Sequence, residues 1–344
     1  MLSNQKNSLL YFKGIIFFLC FIYGCKNEIK LDENIKINDK NFLFETVSPK
    51  DSGIDFINVL EETTSANYFS YIYLYIGGGV AAGDINNDGL IDLYFTSNIS
   101  PDKLYLNKGN FTFVEISKEV GIEHIPGFNT GVTFVDVNND DFLDIYISRG
   151  GWQEEDNKFT NLLYINNGNL TFTEKGEALG LADANRTIQT TFFDYDNDND
   201  LDAYVSNAPI GNSTGNTVID VNFFYNNPRT LRVKGCDRLY ENDGSGHFTD
   251  VSEQAGLVYD LGYGLNPMVA DLNGDHWMDI YVSNDFNAPD LVYMNNGDKT
   301  FTESGSKMFK HMSLNSMGSD VADINNDGFP DLMTLDMNPE DYIR

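Results

Sequence analysis

The chain has 344 residues, 41% hydrophobic and 13% aromatic, enough apolar side chain for a large core and too much for a disordered polyanion. Its net charge of −30 excludes nucleic acid as a partner and excludes direct electrostatic attraction to anionic lipid.

The first segment stands apart. Lys6 and Lys13 precede an apolar stretch, Ile15–Tyr23, shorter than the ~20 residues a spanning helix needs. Residues 1–24 therefore read as a removable signal peptide. The stretch ends in Ile22-Tyr23-Gly24-Cys25, which resembles a bacterial lipobox and makes Cys25 the expected acylation site. Tyr23 is bulky for that motif, and an uncleaved anchor or plain secretion is the alternative. Residues 25–40 are polar and charged and read as a lipidated tether, so the expected location is the outer membrane or cell surface of a bacterial envelope. Cys20 would leave with the leader and Cys25 would be acylated, so Cys236 stays single and no disulfide framework follows.

From residue 41 to 344 one pattern recurs. D-x-N/D-x-D-x-x-x-D occurs at 84–92 (DINNDGLID), 136–144 (DVNNDDFLD), 194–202 (DYDNDNDLD), 271–279 (DLNGDHWMD) and 323–331 (DINNDGFPD). Oxygen-bearing side chains at positions 1, 3, 5 and 9 converge on a point if the loop wraps a cation, and hard oxygens in a flexible loop suit Ca²⁺. The expected ligands are Asp84, Asn86, Asp88 and Asp92; Asp136, Asn138, Asp140 and Asp144; Asp194, Asp196, Asp198 and Asp202; Asp271, Asn273, Asp275 and Asp279; and Asp323, Asn325, Asp327 and Asp331. An EF-hand would need a bidentate Glu at position 12. Phe95, Ile147, Val205, Val282 and Thr334 stand there instead. Solvated Asx turns are the plainer reading of any one copy; five copies with the same flanks favour the ion. Position 6 requires positive φ, met by Gly89 and Gly328 and by Asp141, Asn199 and His276, types that tolerate it. The first and fifth loops should be the best formed and the fourth somewhat strained. Eighteen of the 52 acidic residues lie in these loops.

Each loop joins two short runs rich in Val, Ile, Tyr, Phe and Thr. In four units a third and fourth run follow, separated by an Asn-based turn (107–109, 166–168, 242–244, 295–297) that signals a hairpin. Four antiparallel strands per unit predict an all-β fold: a β-propeller of four-stranded blades, with a metal loop between strands 1 and 2 of each blade. Phe42–Ser48 matches the fourth strand of a unit and is expected to complete the last blade. The fifth unit stops after its second strand, so the ring is expected to be incomplete and the chain a piece of a longer protein. Connections 1–2 and 3–4 emerge on one face, and 2–3 and 4–1 on the other. The long 2–3 insertions, residues 148–161 and 206–237, make the opposite face the place for a partner. Arg149 and Trp152 in one, and Phe223, Phe224, Tyr225, Arg229 and Arg232 in the other, suit glycan or protein recognition or, equally, a local mini-core.

These stretches resemble the FG-GAP/VCBS repeat family, the metal-loop propellers related to integrin α-subunit blades. They are most similar to bacterial relatives of the cartilage acidic protein family, often joined to an ASPIC/UnbV domain. The likeness rests on SGIDF, YIGGGVAAGDINNDGLIDLYFTSN, KLYLNKGNFTF, NLLYINNGNLTFTE, TTFFDYDNDNDLD and DLMTLDMNPED. It implies about one Ca²⁺ per loop and a role in adhesion or extracellular binding.

No catalytic constellation accompanies the repeats. His124, His247, His276 and His311 are scattered, and Gly77–Gly79 leads into a strand rather than a helix N-terminus. The expectation is a non-enzymatic, calcium-binding module with a glycan or protein ligand outside the cell, touching membrane only through its lipid. The alternatives are the propeller domain of an extracellular enzyme or a scaffold for a further C-terminal domain.

Overall fold

The computed structural model describes residues 44–64, 66–122, 124–151, 160–209, 235–258, 262–285, 288–313 and 315–337. The chain divides into two compact units after Val47, and the unit from Ser48 onward contains every sheet.

Four antiparallel sheets follow in chain order, each a simple up-and-down meander. Blade 1 is β1 (Val80–Gly83), β2 (Asp92–Phe95), β3 (Lys103–Asn107) and β4 (Phe113–Glu115). Blade 2 is β5 (Phe128–Val135), β6 (Asp144–Gly150), β7 (Leu162–Asn166) and β8 (Phe172–Glu174). Blade 3 is β9 (Arg186–Phe193), β10 (Asp202–Ala208), β11 (Arg238–Asn242) and β12 (Phe248–Asp250). Blade 4 is β13 (Tyr263–Ala270), β14 (Asp279–Asp285), β15 (Leu291–Asn295) and β16 (Phe301–Glu303). A two-stranded sheet, β17 (Ser316–Ala322) and β18 (Asp331–Asp336), is the fifth member. The first strands β1, β5, β9, β13 and β17 touch one another in that order, which makes them the inner strands of a β-propeller.

The core lies between blades rather than within them, because each sheet is apolar on both faces. Ile85, Tyr94 and Leu104 of blade 1 pack on Ile145, Ile147 and Tyr164 of blade 2. Val135, Tyr146 and Leu163 pack on Val205, Tyr240 and Phe248, and Tyr195, Tyr204 and Leu239 on Ile280, Val282 and Tyr293. The recurring strand-2 tyrosines Tyr94 and Tyr146 set their rings edge-on to Phe134 and Phe192 of the following blade.

A glycine marks the junction between blades 2 and 3. Gly180, at φ +80°, lies so close to Phe248 that a Cβ would fall 2.3 Å from its carbonyl oxygen. Phe248 N–H donates to the Leu179 carbonyl at 2.7 Å across the same junction.

Two features depart from the sequence reading. The described part of Phe42–Ser48, residues 44–48, forms no strand. Pro49–Ser52 folds into a one-turn helix, α1, capped by the Ser48 side chain, and the fifth sheet has no third strand among the described residues with which a fourth could pair. The second departure is the segment before β1. Tyr71, Tyr73 and Leu74 pack on Phe128, Ile188 and Tyr263 near the starts of β5, β9 and β13, covering the inner strands on the face opposite the acidic loops. Tyr73 Oη donates to Asp285 at the end of β14 over 3.1 Å.

Candidate metal loops

All five acidic loops connect the first two strands of a sheet and fold alike. The position-1 carboxylate accepts the backbone N–H of position 5 through one oxygen: Asp88 on Asp84 at 3.1 Å, Asp140 on Asp136 at 3.1 Å, Asp198 on Asp194 at 3.1 Å, Asp275 on Asp271 at 3.0 Å and Asp327 on Asp323 at 3.0 Å. Its other oxygen accepts the N–H of position 6. The position-5 carboxylate accepts the N–H of position 7. Position 6 is left-handed in every loop, with φ +84° at Gly89, +68° at Asp141, +72° at Asn199, +72° at His276 and +86° at Gly328. His276 completes the same bonds as its counterparts, so the fourth loop carries the cost of a left-handed non-glycine residue without losing its shape.

The sequence reading missed a second left-handed residue, at position 4: Asn87, Asn139, Asn197, Gly274 and Asn326 all have positive φ. The signal was present, since only Asn and Gly occupy that position.

The ninth-position aspartate does more than face the loop. One oxygen accepts the N–H of position 2, as in Val137 on Asp144 and Tyr195 on Asp202, both at 3.1 Å. The other accepts the N–H of the Asn that ends strand 3: Asn107 on Asp92, Asn166 on Asp144, Asn242 on Asp202 and Asn295 on Asp279, at 2.8 to 2.9 Å. Asp92, Asp144, Asp202 and Asp279 are each 0% exposed. Burial raises all four, Asp144 to about 7 and Asp202 to about 8. Neighbouring loop carboxylates push the same way, and the two backbone N–H groups pull against them.

The strand-3 Asn then reaches across to the preceding blade. Asn166 Nδ2 donates to the Ile85 carbonyl at 2.9 Å, Asn242 to Val137 at 2.9 Å and Asn295 to Tyr195 at 2.8 Å. Those carbonyls belong to position 2 of the preceding loop. One side chain thus ties the acidic loop of its own blade to that of its neighbour.

A divalent ion fits this chemistry. The converging donors are all hard oxygens, and buried carboxylates held by backbone N–H groups carry charge that a cation would balance. Asp194, Asp196 and Asp202 of the third loop bring carboxylate oxygens within 4.8 Å of one another. Asp84, Asn86, Asp88 and Asp92, and the matching residues of the other loops, are the side chains that would hold the ion.

The other predicted positions fare differently. Arg149 does not offer itself to a ligand: it is 1% exposed, and its guanidinium donates to the Thr160 carbonyl at 3.2 Å and the Pro126 carbonyl at 2.6 Å. It ties the end of its own insertion to the connection that precedes β5. Trp152, Phe223, Phe224, Tyr225, Arg229 and Arg232 lie outside the described residues, as do residues 1–43 with Cys25. Cys236 is buried.

A second polar device went unread. The Asp before strand 3 ties the strand-2 tyrosine to the backbone at the end of strand 2. Asp237 accepts Tyr204 Oη and Asn207 N–H, both at 2.7 Å, and Asp102 accepts Tyr94 Oη at 3.1 Å and Ser97 N–H at 2.7 Å. Asp290 binds Tyr281 and Asn284 in the same way. Burial raises the Asp102 carboxyl to about 6, against the pull of these donors.

Blades of this topology, each opened by an acidic Asx-rich loop between its first two strands, define the class: a repeat β-propeller with oxygen-lined loops on one face. The FG-GAP-like repeat model matches residues 84–147, 214–282 and 271–334, together more than half of the chain, and the chain belongs to that family. Among characterised proteins it is similar to cartilage acidic protein 1 of Xenopus tropicalis, 27% identical over 211 residues, covering 61% of this chain and 29% of that protein. The human protein of the same name is 26% identical over 211 residues, 61% of this chain and 28% of that protein. The chain thus spans less than a third of the length of these relatives. A solved structure of an Agrocybe aegerita lectin, described for its recognition of non-reducing terminal N-acetylglucosamine, aligns with a TM-score of 0.39 at 17% identity over 74% of this chain and 59% of that one.

Proposed function

We propose that this chain is a calcium-stabilised, non-enzymatic binding or adhesion module, displayed outside the cell, whose ligand is a glycan or a protein. The observation that carries the reading is the Asn bridge: each of Asn166, Asn242 and Asn295 joins two successive acidic loops. An ion in any of the first four loops then stiffens the junction between blades, and stiff junctions pre-organise the connections on the opposite face. The leader and the lipobox-like Cys25 support export and a lipid anchor in a bacterial envelope. Among the described residues no helix is long and apolar enough to cross a membrane.

Thermal unfolding in excess calcium and in excess EGTA tests the proposal. Removal of the ion is expected to lower the melting temperature by roughly tens of degrees, as mass action on several tight sites would. Identical melts would remove calcium from the account. A polysaccharide and protein panel scored for both binding and turnover separates a binding module from an enzyme.

A further inference from the structure

The third loop differs from its relatives in one ligand position and in what stands against it. Position 3 is Asn in four loops (Asn86, Asn138, Asn273, Asn325) and Asp196 in the third. In loops 1, 2 and 4 the Asn amide donates to the position-5 carboxylate at 3.0, 3.0 and 2.8 Å. A carboxylate has no proton to donate, so Asp196 sets its charge against Asp198 instead. The third loop also carries the most acid: Asp194, Asp196, Asp198, Asp200 and Asp202.

A cation from the next blade meets this surplus. Lys299, in the β15–β16 hairpin, brings its ammonium into ion-pair contact with Asp196. The same ammonium donates to Glu241 at 2.9 Å. Glu241 is itself anchored by Tyr195 Oη at 2.8 Å. The Asp196 side chain is 1% exposed, whereas that of Lys299 is 52% exposed, so the lysine lies over the carboxylate as a half-open cover.

We propose that Lys299 is a built-in counter-cation of the third loop, holding that loop folded when it is empty and weakening its hold on a divalent ion. This rests on the reading of the loops as calcium sites. For Asp196 to serve the ion fully, the ammonium must leave it, and Glu241 is the partner that keeps the lysine when it does. Even so displaced, a positive charge one carboxylate away from a dication repels it, and at protein-surface dielectric that repulsion is worth about tenfold or more in affinity. The third loop is therefore a weaker site than its five carboxylates alone would make it.

The test uses the full chain stripped with EGTA and titrated with calcium by calorimetry, alongside Lys299→Met, Lys299→Arg and Asp194→Ala. The third-loop site, identified in the wild-type isotherm by its loss in Asp194→Ala, is expected to tighten about tenfold in Lys299→Met and to stay near its wild-type affinity in Lys299→Arg. Thermal melts give the second readout. Lys299→Met should lower the melting temperature in EGTA, where the ammonium is the counter-charge the empty loop depends on, and leave or raise it in saturating calcium. A calcium isotherm unmoved by Lys299→Met, or weakened by it, overturns the proposal while leaving the loops as calcium sites. A flat wild-type isotherm overturns both readings together.

Discussion

Asn242→Ala is the substitution that most directly probes the bridge between blades. The side chain is buried, at 2% exposure. It donates to Val137 of the preceding loop at 2.9 Å and to Leu201 at 3.1 Å, and accepts from Gly244 at 3.2 Å and Gly246 at 3.1 Å. At a net value of about 1 kcal/mol each, with two buried carbonyls left unpaired, truncation should cost about 4 kcal/mol. Asn107 is the control, because it occupies the same place in blade 1 but its bonds, to Ile91 and from Gly109, both at 2.8 Å, stay inside that blade. Water reaches that half-buried site, so Asn107→Ala should cost about 1 kcal/mol. The assay is urea unfolding in excess calcium, followed by tyrosine and tryptophan fluorescence, with slopes compared so that only midpoints are interpreted. Equal costs for the two substitutions would refute the claim that the Asn acts between blades rather than as a hairpin cap.

Other consequences follow from the same structure. In EGTA, stability should fall as pH rises from about 4 toward 8. The folded state holds the Asp144 and Asp202 protons to about 7 and about 8 while the unfolded chain releases them near 3.8, so each deprotonation costs the folded state more. Excess calcium should flatten that slope, because the ion balances the same carboxylates; a metal-free melt indifferent to pH over that range would contradict their burial as charged groups. Gly180→Ala should cost about 3 kcal/mol or more, combining a left-handed backbone with a Cβ 2.3 Å from the Phe248 carbonyl oxygen. Gly109→Ala, at φ +82° with no atom within 4 Å of its Cβ, should cost about 1 kcal/mol; similar urea midpoints for the two would deny the close approach at the blade junction.

Much of this architecture was legible because its signals are local. The loop depends on Asp at position 1 catching the N–H groups four and five residues on, and on left-handed backbone at position 6, and both leave marks within nine residues. Asn-x-Gly hairpins are equally local. What stayed hidden spans the chain: Asn166 reaches Ile85, Asn242 reaches Val137 and Asn295 reaches Tyr195 at separations of 81, 105 and 100 residues. No periodicity marks Tyr71 and Tyr73 as a cover over inner strands, since their partners Phe128 and Tyr263 come from blades 2 and 4. Arg149 misled because an arginine in a long connection looks like a recognition residue, and only its burial against the carbonyls of Pro126 and Thr160 shows that it turns inward. The Phe44–Ser48 error has the same root: a strand-like sequence still needs a neighbouring strand edge to pair with.

The ninth-position aspartate explains why metal and fold are hard to separate here. Each Asp202 oxygen gives one lone pair to a backbone N–H, one from Tyr195 within the loop and one from Asn242 on strand 3. Each oxygen keeps a second lone pair, so the residue can shape the blade first and bind an ion afterwards. Loop geometry is thus set by bonds that need no metal, while ionising the buried carboxyl stays costly until a cation balances it. Calcium should then act mainly on how firmly blades hold each other: strand content by circular dichroism should survive EGTA at low temperature while cooperativity of the melt declines. Loss of the strand signal on chelation alone would mean instead that the ion shapes each blade.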